Sequence, residues 1–162
     1  LISEEALTAA YVRHSKTVWN ICYPYFLNPA DTEDAVQDTF VRLANLKKPF
    51  ADENHEKAWL IVTARNLCKD ELRRRVRRKN VPLEQVEELA DTPLAELDET
   101  LAVLHQLPEQ YRTALYLYYY EEYSTADIAM LTRRREATVR MDLHRGRLML
   151  KKELEKQGGS IL

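Results

Sequence analysis

Glycine is scarce in this chain, with three residues in 162, and prolines number six. Such a composition argues for long helices and short turns, and it leaves no glycine-rich loop able to cradle a nucleotide phosphate. Cysteine is scarcer still: Cys22 and Cys68 lie far apart, without paired spacing or the neighbours of a zinc site, and read as small buried apolar residues. The four histidines His14, His55, His105 and His144 are scattered, and no nucleophile stands beside a base. His55-Glu56 lacks a second histidine four residues on, which excludes the zincin pattern. No catalysis, metal or cofactor is therefore expected. The longest apolar stretches fall short of a membrane span, and no N-terminal series resembles a signal peptide. The expectation is a cytoplasmic protein without membrane insertion. The chain starts at Leu1 rather than Met, so its true N-terminus is expected upstream.

What is present is segregated charge. The formal net charge is only −2, but Lys plus Arg against Asp plus Glu runs 13 to 11 over residues 1–78, 1 to 7 over 79–107 and 10 to 8 over 108–162. Two mildly basic units thus flank an acidic connector, the charge shift that commonly marks a linker. Within it Pro82 and Pro93 stand where a continuous helix would have to break. The expected architecture is all-α: a helical domain over 1–79, an acidic linker over 80–94, and a second helical domain over 95–157. Gly158-Gly-Ser is expected to fray.

The second domain carries the signals of a helix-turn-helix. Pro108 suits the first turn of a helix for which Leu115, Tyr118 and Tyr119 supply an inward stripe. Ser124 is a good N-cap with Asp127 three residues on, and Ile128 and Leu131 give the next short helix a buried side. Val139, Leu143, Gly146 and Leu150 then recur at helical spacing, which leaves Thr138, Arg140, Met141, His144 and Arg145 facing outward, as a major-groove helix requires. The tyrosines Tyr116, Tyr118, Tyr119, Tyr120 and Tyr123 read as core and core rim.

In the first domain, Ser3 can cap a helix through Leu7, Ala10, Tyr11, Val18, Trp19 and Cys22 that Pro24 must kink or end. A second helix follows Asp31, read as its N-cap. It has an apolar stripe of Val36, Phe40 and Leu43 and flanks of Asp34, Gln37, Asp38, Val41 and Arg42. By itself this is a solvated amphipathic helix. A third, from about Glu56 to Arg78, gathers Leu60, Ile61, Ala64, Leu67, Cys68 and Leu72 in one arc and places Trp59, Arg65, Asn66, Lys69, Arg73 and Arg77 on the other. Two readings stand for that basic side: a nucleic-acid surface, with cations for phosphates and an indole to stack on a base, or hydrated arginines with a Trp covering the core. Five arginines in the six positions 73–78 are hard to explain by solubility alone.

Together the two blocks resemble the bacterial RNA polymerase sigma factors of the extracytoplasmic-function class, over nearly the whole chain. Asn28-Pro-Ala-Asp-Thr-Glu-Asp-Ala-Val-Gln-Asp-Thr-Phe-Val-Arg-Leu is similar to the family's region-two signature, and residues 58–74 to the promoter-melting and minus-ten segment. Leu107 to Arg147 looks like region four. The resemblance implies a transcription initiation factor without enzyme activity. Asp34, Gln37, Asp38 and Arg42 match the helix that docks on the clamp helices of the largest polymerase subunit. The loop Pro49 to Glu56 and the helix after it correspond to the part that captures an unstacked base of the minus-ten element, and Trp59, Arg65, Asn66, Lys69 and Arg73 to contacts with the opened strand. Region four implies minus-thirty-five binding through Thr138, Arg140, Met141, His144 and Arg145, together with contact to the flap of the second-largest subunit. The connector resembles the segment that threads toward the RNA path, and an anti-sigma factor is a further implied partner.

Two departures from the family pattern fall in the helix-turn-helix. Arg133, Arg134 and Arg135 replace the usual Gly, hydrophobic residue and Ser of the turn, and Glu122 replaces a glycine before Tyr123. A left-handed arginine costs on the order of 1 kcal/mol. The turn is thus expected to be distorted, with the three arginines gripping phosphate in compensation. Two rivals remain: a free-standing regulator using only the helix-turn-helix, with an N-terminal dimerisation or sensing module, and a helical adaptor that binds proteins alone.

Overall fold

The computed structural model describes residues 2–47, 50–78, the backbone of Lys79, and residues 99–157. The chain divides into two compact units, Leu1–Thr92 and Pro93–Leu162. Seven helices and no strand occur among the described residues. The linker expected over 80–94 and the terminal Gly158-Gly-Ser lie outside them.

The first unit is built from α1 (Glu4–Phe26), α2 (Pro29–Ala44) and α3 (Glu53–Lys79), each packed against the other two. Ser3 caps α1, its hydroxyl accepting from the Ala6 N–H at 3.1 Å, an interaction worth about 1 kcal/mol. Pro24 does not end the helix. It lies inside α1, which runs to Phe26 and stops where Leu27 turns left-handed, its N–H reaching the Tyr23 carbonyl at 2.8 Å. The cap of α2 is Asn28, not Asp31: Asn28 Oδ1 accepts from the Asp31 N–H at 2.8 Å, and its amide donates to Asp31 Oδ2 at 2.9 Å. Pro29 supplies no N–H at the first position, and Asn28 and Asp31 are held together by a backbone-to-side-chain bond and a side-chain-to-side-chain bond. Asp52 Oδ1 accepts from the His55 N–H at 2.9 Å at the start of α3.

The core of this unit holds Val18, Ile21, Cys22, Val36, Phe40, Leu43, Leu60, Ile61, Ala64 and Cys68. Both thiols are buried and free, as their surroundings in the sequence imply. At its edge a charged cluster ties α1 to α3. Glu56 Oε1 accepts from Arg13 Nη2 at 2.8 Å and from the buried His14 Nε2 at 3.1 Å. At the far end of α3, Arg75 Nη1 lies 3.2 Å from Asp31 Oδ2, with its guanidinium 5.1 Å from the centre of the Phe26 ring. One arginine thereby joins all three helices.

The second unit comprises α4 (Glu99–Leu104), α5 (Glu109–Tyr119), α6 (Thr125–Thr132) and α7 (Glu136–Lys156). Pro108 stands one residue before α5, with the Tyr111 and Arg112 N–H groups reaching its carbonyl at 3.0 Å. The inward stripe of α5 differs from the one expected. Leu115 is buried, but Tyr118 and Tyr119 face out, and Ala114, Tyr116 and Leu117 complete the core with Leu101, Leu104, Ile128, Val139 and Leu143. Gly146 lets α7 approach α5 closely, since a Cβ there would sit 3.0 Å from Leu115 Cδ1 and 3.3 Å from Tyr111 Cβ.

Burial lowers the pKa of His14 below 6.5, outweighing the attraction of Glu56, while Arg13 and Lys57 push the same way as burial. The folded imidazole is therefore neutral where the unfolded one has begun to protonate. Its stabilising contribution is fully present above about pH 6.5 and is lost as pH falls through the lowered folded value. Both tryptophans, Trp19 and Trp59, lie in this unit, so their fluorescence isolates its unfolding. Urea titrations at pH 7.5 and 5.5 should show a fall in stability that His14→Gln reduces; an equal fall in the variant would exclude the assignment.

Candidate nucleic-acid interface

Helix α2 buries Thr32, Ala35, Val36, Thr39, Phe40 and Leu43 and exposes Asp34, Gln37, Asp38, Val41 and Arg42 along its other side. Val41 is 56% exposed within this polar face, and none of its four polar neighbours bonds to another described side chain.

The basic side of α3 is not the single exposed stripe that its wheel implies. Arg65 is 8% exposed and Lys69 half-buried, and both are engaged with other groups of the protein. The reason is tertiary. Because α1 and α2 both pack on α3, the buried arc widens from Leu60 through Ile61, Ala64 and Cys68 to Arg65, which stands four residues after Ile61 and three before Cys68. Asn66 and Arg73 remain exposed, Arg73 donating to Asp70 at 2.9 Å. Trp59 is half-buried, its ring 5.8 Å from that of Phe50, which in turn lies edge-on 5.0 Å from His55. Part of the arginine run is structural: Arg75 bridges Glu71 and Asp31, whereas the exposed Arg74, like Arg73, pairs along its own helix, donating to Glu71 Oε1 at 2.6 Å. Exposed Arg77 has no ion-pair partner among the described residues.

The helix-turn-helix forms as its punctuation requires. The Ser124 hydroxyl accepts from the Asp127 N–H at 3.1 Å to start α6. Both positions where the family pattern has glycine adopt left-handed backbone here, with φ of 61° at Glu122 and 58° at Arg133. The chain keeps the turn and carries the strain. Arg133 and Arg135 are exposed, whereas Arg134 folds inward, its Nη1 2.8 Å from Oδ2 of the buried Asp142 on α7. The N–H directions of Arg134 miss that oxygen, so the contact is ionic rather than a hydrogen bond. Burial raises the Asp142 pKa, with Arg134 and then Arg145 opposing the shift and Glu109 adding to it. Arg134 thus pairs with Asp142 beside the turn, whereas the expectation treated the three arginines as equivalent.

On α7 the two faces separate as the spacing implies. Val139, Leu143 and Gly146 are buried, Leu150 and Thr138 are intermediate, and Arg140, Met141, His144 and Arg145 are exposed, with Met141 at 49%. Glu136, which sequence reasoning passed over, has Oε2 3.2 Å from Arg140 Nη1 and accepts from Thr125 Oγ1 on α6 at 2.6 Å. Its four-residue spacing to Arg140 was visible in the chain; the bond across the turn was not. Tyr119 and Tyr120 flank this unit's core as exposed rings, Tyr119 accepting from Arg147 at 3.0 Å. The half-buried Tyr123 has its pKa pushed up to about 12 by burial, with Glu121 and Asp127 adding to it.

Residues 10–78 match the family model for Sigma-70 region 2, and residues 97–150 that for Sigma-70 region 4. The ECF RNA polymerase sigma factor SigL of Mycobacterium tuberculosis is 31% identical over 161 residues, covering 94% of this chain and 90% of that protein. The chain belongs to the ECF RNA polymerase sigma factors. SigW of Bacillus subtilis, another ECF sigma factor, is 27% identical over 85% of this chain and 82% of its own. The fold has solved counterparts. One is the sigma factor RpoE in complex with the anti-sigma factor NepR from Bartonella quintana, with a TM-score of 0.71 at 21% identity, covering 91% of this chain and 96% of that one. Another is CnrH in complex with the cytosolic domain of CnrY, with a TM-score of 0.62 at 22% identity, covering 95% and 90%. This sigma factor is a transcription initiation factor that directs core RNA polymerase to promoters, with a region 2 and a region 4 in one chain. A free-standing regulator using the helix-turn-helix alone leaves the match over residues 10–78 without a role. No helix among the described residues is long and apolar enough to cross a membrane.

The inward Arg134 and outward Arg133 and Arg135 should behave differently on substitution. Arg134→Ala leaves Asp142 buried and without its nearest counter-charge and should cost about 1–3 kcal/mol of unfolding free energy. Arg133→Ala and Arg135→Ala should instead each lower the salt slope of DNA binding by about 1. Denaturant unfolding and binding titrations over a salt series separate the two roles; a full salt-slope loss for Arg134→Ala without loss of stability would reverse them.

Proposed function

We propose that the exposed face of α2, with Asp34, Gln37, Asp38 and Arg42 around Val41, docks on the clamp helices of the largest polymerase subunit. On α3, Trp59, Asn66 and Arg73 meet the opened non-template strand of the minus-ten element, while Arg65 and Lys69 support that surface from within. On α7, Thr138, Arg140, Met141, His144 and Arg145 enter the major groove of the minus-thirty-five element, with Arg133 and Arg135 on the adjoining phosphates.

The observation that carries this reading is the two-sided α7, with Val139, Leu143 and Gly146 packed away and three cationic or polar side chains standing clear beside Met141. Such a helix spends its apolar side on the fold and keeps hydrogen-bond donors for base edges. No bond is made or broken by this chain. It works in the cytoplasm, lending specificity to the polymerase and helping to open DNA, where unstacking one base step costs a few kcal/mol. Stacking on an aromatic ring returns about 1–3 kcal/mol per base, and phosphate contacts add to it. Contact of region four with the flap of the second-largest subunit completes the docking. An anti-sigma factor is the proposed inhibitor, in keeping with the two solved counterparts, each described in complex with another chain.

Replacing Asp34 and Gln37 together by Ala should weaken co-elution with purified core polymerase roughly tenfold, equivalent to about 1.4 kcal/mol, while leaving the fold intact. Undiminished co-elution removes the docking assignment. On a promoter mapped by run-off transcription, Asn66→Ala with Arg73→Ala should slow strand opening at the start site more than closed binding. Permanganate reactivity equal to the parent's would exclude α3 from the opened strand.

A further inference from the structure

Glu136 stands at a place where an acidic side chain is poorly suited to DNA. It is the first residue of α7, exposed, one turn before Arg140 on the proposed groove face. A carboxylate there repels phosphate; the positive end of the α7 dipole favours it, and a second benefit would set Glu136 apart from any first-turn acid. The structure supplies one. A single oxygen, Oε2, is shared by Thr125 Oγ1 of α6 at 2.6 Å and by Arg140 Nη1 at 3.2 Å. Thr125 is in turn fixed in place, being the first residue of a helix whose cap is the Ser124 hydroxyl. The series Thr125, Glu136, Arg140 therefore runs from one helix of the motif, across the turn, to the outward face of the other. The exposed Arg145, on the same helix, makes no ion pair within 4 Å among the described residues and feels Asp142 only at longer range.

Resting on the reading of α7 as the groove helix, we propose that Glu136 is a positioning residue that makes Arg140 a reader of guanine instead of a phosphate contact. Arginine has five N–H donors in a planar fork, so holding one nitrogen leaves a pair of donors free. Guanine presents O6 and N7 side by side in the major groove, the acceptor pair such a fork fits. Tethering removes rotamers that a free arginine would lose on binding, and the carboxylate disfavours the competing swing to the backbone. Glu136 thus exchanges general affinity for discrimination at one base pair.

The test uses the full chain assembled with core polymerase and a pool of duplexes randomised upstream of the start site, with the bound fraction sequenced. Single-base variants of the best duplex are then titrated over a salt series. The parent should prefer guanine at one upstream position by roughly tenfold, the scale of a bidentate contact. Glu136→Gln should reduce that preference roughly fivefold at that position alone and raise the salt slope by about 1, as Arg140 turns to phosphate. Arg140→Ala should abolish the same preference, and adding Glu136→Gln to it should change nothing further. Glu136→Asp, which keeps the charge, should retain part of the preference. Thr125→Val removes the anchor while sparing the charge, and should weaken the preference even if Glu136→Gln does not fold. The proposal is overturned if Glu136→Gln and Thr125→Val keep the full parental preference while Arg140→Ala loses it; the groove reading then stands alone. It is also overturned if the effect of Glu136→Gln persists in the Arg140→Ala background, because Glu136 would then touch a base itself. If Arg140→Ala and Arg145→Ala both leave every upstream preference intact, the groove reading fails with it.

Discussion

The close approach of α7 to α5 at Gly146 governs what the second unit can present to a partner. With Leu115 Cδ1 and Tyr111 Cβ as near as 3.0 and 3.3 Å to where a Cβ would lie, the rotation of α7 about its own axis is set by steric contact. Val139 and Leu143 follow Gly146 inward on the same face, and Arg140, Met141, His144 and Arg145 are left outside as a consequence. The contact of Asp142 with Arg134 then ties the turn between α6 and α7 to this helix, beside Arg133, whose backbone is left-handed. Strain at Glu122 and Arg133, on the order of 1 kcal/mol each, is carried by packing elsewhere in the unit.

The first unit solves a different problem with the same means. A helix rich in cations is here gripped on two sides, since α3 is packed by both α1 and α2. Its arginines are accordingly sorted. Arg75 becomes a clasp over Phe26 and Asp31, Arg65 is drawn into the buried arc, and Arg73, Arg74, Arg77 and Arg78 stay exposed. A count of arginines therefore overstates the cationic surface. The buried Glu56, shared by Arg13 and His14, anchors the start of α3 beside Phe50 and Trp59, so the aromatic end of this helix is held by charge rather than by apolar packing alone.

Much of the molecule was legible in its residues. The helix starts at Ser3 and Ser124, the buried side of α7 and the outward face of α2 follow from caps and periodicity, which act over one or two turns of chain. The glycine positions occupied by Glu122 and Arg133 were legible as backbone demands, and both are met with φ near 60°. Misread features share one cause. Asn28 rather than Asp31 as the cap, the exposure of Tyr118 and Tyr119, the burial of Arg65 and the inward turn of Arg134 each depend on a neighbour that periodicity does not supply.

Local sequence thus determined most of the helical segments, the starts at Ser3 and Ser124, and that cations gather on α3 and α7, because these properties depend on side chains three or four residues apart. Only the tertiary structure decided which of those cations face solvent and which serve the fold, because an arginine's role is set by the carboxylate it finds: Asp31 for Arg75, Asp142 for Arg134, Glu136 for Arg140. The bond from Thr125 to Glu136 makes the point most directly. Eleven positions and a turn separate the two residues, and packing of α6 against α7 brings their oxygens within 2.6 Å.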